Sequence, residues 1–227
     1  MRIDRALPGL SVVIPTLNAA ATLPATLAAL GDAPAEIILA DGGSQDGTAD
    51  WRDIRIIAAS RGRGTQIGAA VAAAQGPWLL ILHADTQVQP GWVAAVRAAM
   101  GDPGRAHYFR FLLDDPAPAA RRLERAVAWR CRIFALPYGD QGLLIHRDLL
   151  AAIGGVPTVP LMEDVALVRA LGRRRLAALP VGAVTSAARW QREGYLRRSA
   201  KNLGILALWF LGVPPATLAR WYRGRRR

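Results

Sequence analysis

Apolar and polar positions follow one rhythm up to about residue 85 and another after it. In the first part, short unbroken apolar runs end on polar clusters: residues 10–15 (LSVVIP), 36–41 (EIILAD), 55–59 and 78–82 (WLLIL). Runs of this length, bounded by Gly, Pro or polar residues, read as strands buried on both faces of a parallel sheet. Helical stretches lie between them. One runs to about Leu30, with Thr22 as its N-cap and Pro24 in its first turn; the other is the alanine-rich segment 65–75. Strand, loop and helix recurring in this order predict a parallel sheet with right-handed crossovers.

Past Gln89 the spacing changes. Residues 90–100 read as a helix, 106–113 (AHYFRFLL) alternate like a strand, and 118–134 form a long basic helix. The run Leu143-Leu144-Ile145 precedes a short helix over 147–153 that Gly154-Gly155 ends. A further helix opens near Glu163-Asp164 and reaches Leu171, strand material follows over 176–186, and helices over 194–213 and 215–223 finish the chain. The fold class expected is α/β, with a mixed, mainly parallel sheet flanked by helices.

The predicted strand ends carry the candidate chemistry. Pro15-Thr16-Asn18, Asp41-Gly42-Gly43-Ser44 and His83-Ala84-Asp85 all fall at carboxyl ends, the edge where open α/β sheets bind ligands. A lone carboxylate there is costly to desolvate, whereas one facing a divalent cation is stabilised. The alternative for Asp85 is that it opens a turn before Gln87. Glu163 and Asp164 fall in the first turn of their helix, where the helix dipole favours carboxylates, so capping competes with catalysis as their purpose. A G-x-G-x-x-G fingerprint after the first strand and a P-loop lysine are both missing, which argues against dinucleotide and ATPase chemistry.

Composition narrows this picture. The 227 residues suffice for one sizeable core, and 52% hydrophobic with 20% charged residues describe a folded chain. The single Cys131 excludes a disulfide framework and a cysteine-rich zinc site, and fits a reducing cytoplasm. The N-terminus lacks the apolar core of a signal peptide, and no run reaches the ~18 apolar residues of a spanning helix. The net charge of +12 calls for an anionic partner: nucleic acid, anionic lipid or a phosphorylated small molecule. The arginine clusters Arg121-Arg122, Arg173-Arg174-Arg175, Arg197-Arg198 and Arg225-Arg226-Arg227 carry much of the excess. No helix-turn-helix, zinc or aromatic RNP pattern accompanies them, so nucleic acid is not the expected partner.

Four segments in order, SVVIPTLNA from Ser11, ADGGSQDGT from Ala40, LHADT from Leu82 and MEDVAL from Met162, resemble family 2 glycosyltransferases of the GT-A fold, over a span from Ser11 to about Trp190. YGDQG from Tyr138, together with PLMEDVAL, is similar to a small bacterial subgroup found near radical-SAM and selenodomain genes. The resemblance implies a nucleoside-diphosphate-sugar donor, with Pro15, Thr16, Asn18, Asp41, Arg63 and His83 on its side of the site. It implies that Asp85 matches the last acid of the D-x-D signature and holds Mg²⁺ or Mn²⁺. Asp164 would be the base that deprotonates the acceptor, with inversion at the sugar. Tyr138, Asp140, Gln141 and Glu163 would border the acceptor.

The sequence also departs from that pattern. His83 stands where the first acid of D-x-D is expected, Gly68 where an asparagine is common, and the Q-x-x-R-W signature of processive members is absent. The His83 departure supports a rival reading, a non-catalytic GT-A-like subunit at a membrane; a nucleotidyltransferase is the enzymatic runner-up. Two parts are expected, a catalytic domain over 1–192 and an apolar, basic helical segment over 193–227. In the latter, Leu203, Ile205, Leu206, Leu208, Trp209, Phe210, Leu211 and Val213 lie between Arg197, Arg198 and Lys201 on one side and Arg220, Arg223 and Arg225 to Arg227 on the other. This suits an interfacial helix on the inner face of the plasma membrane, with a lipid-linked acceptor in reach. The alternative is a helix packed on the core or on a second copy of the chain.

Overall fold

Val12 and Val13 are neighbours in sequence but belong to different apolar clusters on opposite faces of one sheet. That is the period-2 geometry of a strand covered on both sides. The computed structural model describes residues 6–51 and 54–223. Along the chain run β1 (Leu7–Thr16), α1 (Leu23–Leu30), β2 (Pro34–Asp41), β3 (Arg55–Ala58), α2 (Arg63–Ala73), β4 (Trp78–Ile81), β5 (Thr86–Val88) and α3 (Trp92–Ala99). Then come β6 (Ala106–Leu113), α4 (Pro118–Phe134), β7 (Leu143–His146), α5 (Arg147–Ala152), α6 (Glu163–Leu171) and β8 (Leu176–Thr185). The last helices are α7 (Ala188–Glu193), α8 (Tyr195–Phe210) and α9 (Pro215–Arg223).

The strands form a single sheet in the order β3-β2-β1-β4-β7-β6-β8-β5. Its first four strands are parallel, as the alternation of strand and helix predicts. β7 then runs antiparallel to β4, β6 antiparallel to β7, β8 parallel to β6, and β5 antiparallel to β8. One face packs Leu10, Val12, Ile14, Leu80 and Phe109 with residues of α1 and α3; the other packs Val13, Ile38, Leu79 and Ile145 with residues of α2, α5 and α6. The carboxyl ends of β1, β2 and β4 thus open on one edge, with the start of α6 brought beside them.

Several boundaries move for local reasons. β1 begins at Leu7, ahead of the expected Leu10, with an irregular register that Gly9 accommodates at φ 84° against Pro77. Thr22 stands at the N-cap position of α1, as expected, but makes no side-chain cap bond: its hydroxyl donates to the Ala19 carbonyl instead. α2 starts at Arg63, two residues early. Gly64 permits this, because a Cβ there would lie 2.2 Å from the Pro157 carbonyl oxygen. β5 and α7 are additions, both too short for periodicity to reveal. Asp85 does precede a change of direction, but the segment after it is β5, paired with β8, and not a simple turn.

Candidate active site

The first side of the site is the loop after β2, and Asp41 organises it. Its Oδ1 accepts hydrogen bonds from the hydroxyls of Thr16 (3.0 Å) and Ser44 (2.5 Å), and its Oδ2 from the amides of Gly43 (2.9 Å) and Ser44 (2.8 Å). A carboxylate has about four acceptor positions, and all are taken. Burial alone would raise the Asp41 pKa, but these bonds from Ser44, Thr16 and Gly43 bring it below its ordinary value. Asn18, in the left-handed region at φ 51°, ties the first loop to the second: Ser44 Oγ accepts from the Asn18 amide, and Asn18 Oδ1 from the Gln45 amide. Below them Gln66, buried on α2, donates to the carbonyls of Thr16 (2.7 Å) and Ala40 (2.8 Å). It bridges the two strand ends, which is why Gly42 sits against it without a side chain.

The second side lies where β4, the turn over 139–141 and the start of α6 converge. Arg63 stands at the first position of α2, where the helix dipole disfavours a cation. Glu163, at the first position of α6 and only 3% exposed, pairs with it at 2.5 Å. Burial works against the Arg63 charge, yet Glu163, Asp164 and Asp140 outweigh it and hold the pKa above its usual value. Arg63 Nη1 lies 3.2 Å from His83 Nε2. Since guanidinium can only donate, His83 Nε2 is the acceptor and the imidazole is neutral with its proton on Nδ1. Burial first, then Arg63, push the His83 pKa down to about 3, in keeping with that state.

Asp164 Oδ2 accepts from the Gly139 amide (2.8 Å) and Oδ1 from the Val165 amide (2.8 Å). The N-cap position of α6 is Met162, a non-glycine residue at φ 66° with no side-chain bond, so Asp164 serves the helix end only through the first-turn Val165 amide. Gly139 is required where it stands, since a Cβ there would meet His83 Nε2 at 2.6 Å.

Asp85, Asp140 and Asp164 line one cavity of about 1110 Å³. Among the described residues the Asp85 carboxylate has no hydrogen-bond or ion-pair partner, while Asp140 Oδ1 is buried and likewise unpartnered. Burial pushes the Asp140 carboxyl up to about 6; Asp164 and Asp85 add to the rise, and Arg130 and Arg63 oppose it. The free Asp85 carboxylate and the buried, unpartnered Asp140 oxygen are hard oxygen donors of the kind a Mg²⁺- or Mn²⁺-sized cation takes, so the residues fit such an ion. They do not make a full cage: among the described residues no three His, Cys, Asp or Glu side chains are grouped to hold a metal. His83, whose free nitrogen already accepts from Arg63, adds no ready ligand.

Of the predicted residues, Arg63, His83, Asp85, Tyr138, Asp140 and Asp164 share this cavity, whereas Pro15, Thr16 and Asp41 end β1 and β2 and Asn18 stands on the loop after β1. Two of the expected acceptor residues are engaged within the fold. Gln141 is 2% exposed and spent internally: it donates to the Phe109 carbonyl and accepts from the Tyr138 amide and Cys131 Sγ. Glu163 is sealed under Arg63 and positions that guanidinium. Sequence reasoning missed Gln66, whose signal was a lone amide on an alanine-rich helix, and Arg130, whose guanidinium stacks 3.5 Å over the Tyr138 ring.

At the C-terminal end Ile205 and Leu206 of α8 are buried, Leu206 packing with Leu136, Val165 and Val168, so part of this helix covers the core. Leu196, Leu203, Phe210 and Leu211 stay exposed. Arg198, expected on the basic flank, is turned inward: it pairs with Glu193 at 2.8 Å and stacks over Trp190. Arg225 to Arg227 lie outside the described residues. No helix among the described residues is long and apolar enough to cross a membrane.

Known proteins place this geometry. A curated relative, a PGL/p-HBAD biosynthesis glycosyltransferase of Mycobacterium bovis, is 37% identical over 113 residues, covering 43% of this chain and 43% of that protein. The match therefore spans less than half the length of that relative. Among solved structures, residues 1–349 of S. aureus TarS in complex with UDP superpose with a TM-score of 0.61 at 16% identity, covering 78% of this chain and 60% of that one. Glucosyl-3-phosphoglycerate synthase from Mycobacterium tuberculosis, in complex with Mn²⁺, UDP and phosphoglyceric acid, gives 0.54 at 20% identity, covering 78% and 69%. These two share the fold, a GT-A α/β arrangement. The family profile for glycosyl transferase family 2 matches residues 11–135, more than half of the chain, and the protein belongs to that family.

Proposed function

We propose that this glycosyltransferase moves a sugar from a nucleoside diphosphate to an acceptor oxygen, a hydroxyl or a phosphate, by direct displacement with inversion. The observation that carries the reading is the convergence of Asp85, Asp140 and Asp164 on one cavity beside the nucleotide-facing sheet edge. The loops held by Asn18, Thr16, Asp41 and Gln66 form the nucleoside side, with Pro15 at its base. Asp41 acts there by shaping the loop, since its oxygens are already occupied. UDP is the first nucleotide to try, because the TarS and synthase structures contain it.

Asp85, with Asp140 beside it, would hold the divalent cation. When bound, that cation supplies positive charge to the departing diphosphate. Asp164 faces the acceptor and takes its proton as the acceptor oxygen bonds to the anomeric carbon; the carbon's bond to the diphosphate oxygen breaks with its electron pair leaving on the nucleotide. The Gly139 and Val165 amides hold the Asp164 carboxylate in place, and neutral His83 with Arg63 fills the wall behind it. Asp164→Asn tests the reading: nucleotide binding should persist while transfer collapses, and transfer within a few-fold of wild type would sink it.

The exposed apolar residues of α8 support a contact with a membrane surface in this reading, with arginines toward anionic lipid, each contributing about 1 kcal/mol. The check is co-sedimentation with anionic vesicles at low salt, comparing wild type with a Leu196→Ser, Leu203→Ser, Leu211→Ser triple variant. Equal pelleting of the two, or none by either, removes the membrane contact.

A further inference from the structure

The cavity that contains the three aspartates is far larger than a sugar and its reacting oxygen need. It continues between α4 and α8, past Phe111, Leu123, Val127, Leu136, Val165 and Leu206, all apolar. Its outer end is equally informative. The large apolar side chains that the protein leaves exposed include Trp129 (58%), Phe134, Leu196, Leu203 (59%) and Phe210, and every one of these five lines the cavity. Exposed apolar residues scattered singly need no explanation, but a contiguous set around one opening marks a binding surface. The result is a largely apolar passage that takes in the three aspartates and carries exposed aromatic and leucine side chains at its opening.

Apart from the three aspartates, the charged groups along it are cationic; Ser199, Asn202, Tyr195 and Tyr222 add neutral polar groups. Arg63, Arg169 and Arg198 are engaged, by Glu163, the Phe210 ring and Glu193 respectively. Arg130 is held over the Tyr138 ring and donates through Nε to the Leu136 carbonyl, yet its Nη2 is buried without a hydrogen-bond partner; Arg122 and Arg189 also line the passage and form no ion pair among the described residues. Apolar walls with unpaired guanidinium groups next to the reaction centre complement one chemistry, a hydrocarbon chain ending in an anionic oxygen.

We infer that the passage between α4 and α8 is the acceptor channel, and that the acceptor is an amphiphile whose hydrocarbon tail occupies it while its phosphate oxygen reaches the site beside Asp164. This deepens the proposed function and rests on it. The acceptor oxygen forms the bond to the anomeric carbon as the carbon–diphosphate bond breaks, its electron pair leaving on the nucleotide; an ionised phosphate carries no proton to transfer, and a protonated one gives it to Asp164. Continuity with the carboxylates argues for an acceptor over a second copy of the chain, since a protein surface laid on the rim would leave the inner passage unfilled.

The test is calorimetry on the full chain with octyl, decyl and dodecyl phosphates below their micelle-forming concentrations, and with the matching alkanols. UDP with Mn²⁺ is titrated separately. If the tail is buried, affinity rises by about fourfold per methylene, and each phosphate binds more tightly than its alkanol. Ala126→Trp, which places an indole in the passage from α4, should cost the decyl phosphate at least tenfold while leaving UDP affinity unchanged. Leu203→Ser, on the exposed rim, should weaken the dodecyl chain by a smaller factor and carries little risk to folding. Affinity independent of chain length, or insensitive to both variants, overturns the channel. Equal binding of alkanol and phosphate overturns the anionic head, and a dimer that dissociates as the alkyl phosphate binds would assign the groove to a second copy instead. Loss of UDP binding with chain-length dependence intact would remove the donor reading and leave the channel standing.

Discussion

Asp41 and Asp140 both border the ligand edge of the sheet, and they are opposites. Asp41 accepts four hydrogen bonds, three from its own loop and one from Thr16 at the end of β1, and its pKa is lowered despite burial. Asp140 has a buried oxygen without a partner and a pKa pushed up to about 6 by burial. The first region is complete as it stands and can be rigid before ligand arrives. The second keeps a buried carboxylate oxygen without a donor, so it gains most from a cation that binds there. A saturated carboxylate shapes a pocket; an orphaned one is available for binding chemistry.

The largest expected effect lies on the unsaturated side. For an acceptor that must lose a proton, a hydroxyl or a protonated phosphate, Asp164→Asn should lower the rate of transfer by roughly 10²–10⁴-fold, the contribution of a well-placed base, with UDP affinity nearly unchanged in calorimetry; an acceptor phosphate already ionised should escape that penalty. A fall in UDP affinity to match would blur the contrast, since it would make Asp164 part of nucleotide binding. Next comes Asp85→Asn, which removes one charge-assisted ligand and should weaken Mn²⁺-dependent UDP binding by roughly ten- to a hundredfold, without change in the melting temperature of the free protein. A loss of stability would mean that Asp85 is structural after all.

On the saturated side the order reverses, and stability should suffer. Asp41→Ala leaves two hydroxyls and two amides without their acceptor and should cost about 2–4 kcal/mol, read by thermal or urea unfolding, with weaker nucleotide binding as the loop loosens. The pH dependence has a definite sign. A carboxylate whose folded pKa is depressed contributes stability above its unfolded pKa of about 4 and loses it as pH falls through the folded value. The stability gap between wild type and Asp41→Asn should therefore be widest at neutral pH and close in acid. The smallest effect belongs to α8: Leu211→Ser, at an exposed position, should change stability by no more than about 0.5 kcal/mol.

The same contrast explains how much could be seen in the sequence. The parallel half was legible because β1, β2 and β4 are unbroken apolar runs whose ends bear Thr16, Asp41 and Asp85. Asp164 was legible as an acid in a short motif at a helix start. What could not be read was which acids are consumed. Glu163 and Asp164 are adjacent, yet only the packing of α2 against α6 through Gly64 sends Glu163 to Arg63 and leaves Asp164 facing the cavity. Gln141 stands beside Asp140 in a Gly-Asp-Gln-Gly turn, and its burial follows from a long-range bond to the Phe109 carbonyl on β6. The antiparallel half and the short β5 depend on pairings up to 99 residues apart, such as Thr86 with Thr185. The passage between α4 and α8 likewise exists only once two distant helices are brought together.

The central claim, that the Asp85–Asp140 side is incomplete until a cation joins it, is tested most directly by UDP titrations with and without Mn²⁺ on wild type, Asp85→Asn, Asp140→Asn and Asp164→Asn. The account predicts a large gain in UDP affinity from Mn²⁺ in wild type and Asp164→Asn, and little gain in Asp85→Asn and Asp140→Asn. An equal gain in all four proteins, or none in wild type, would contradict it.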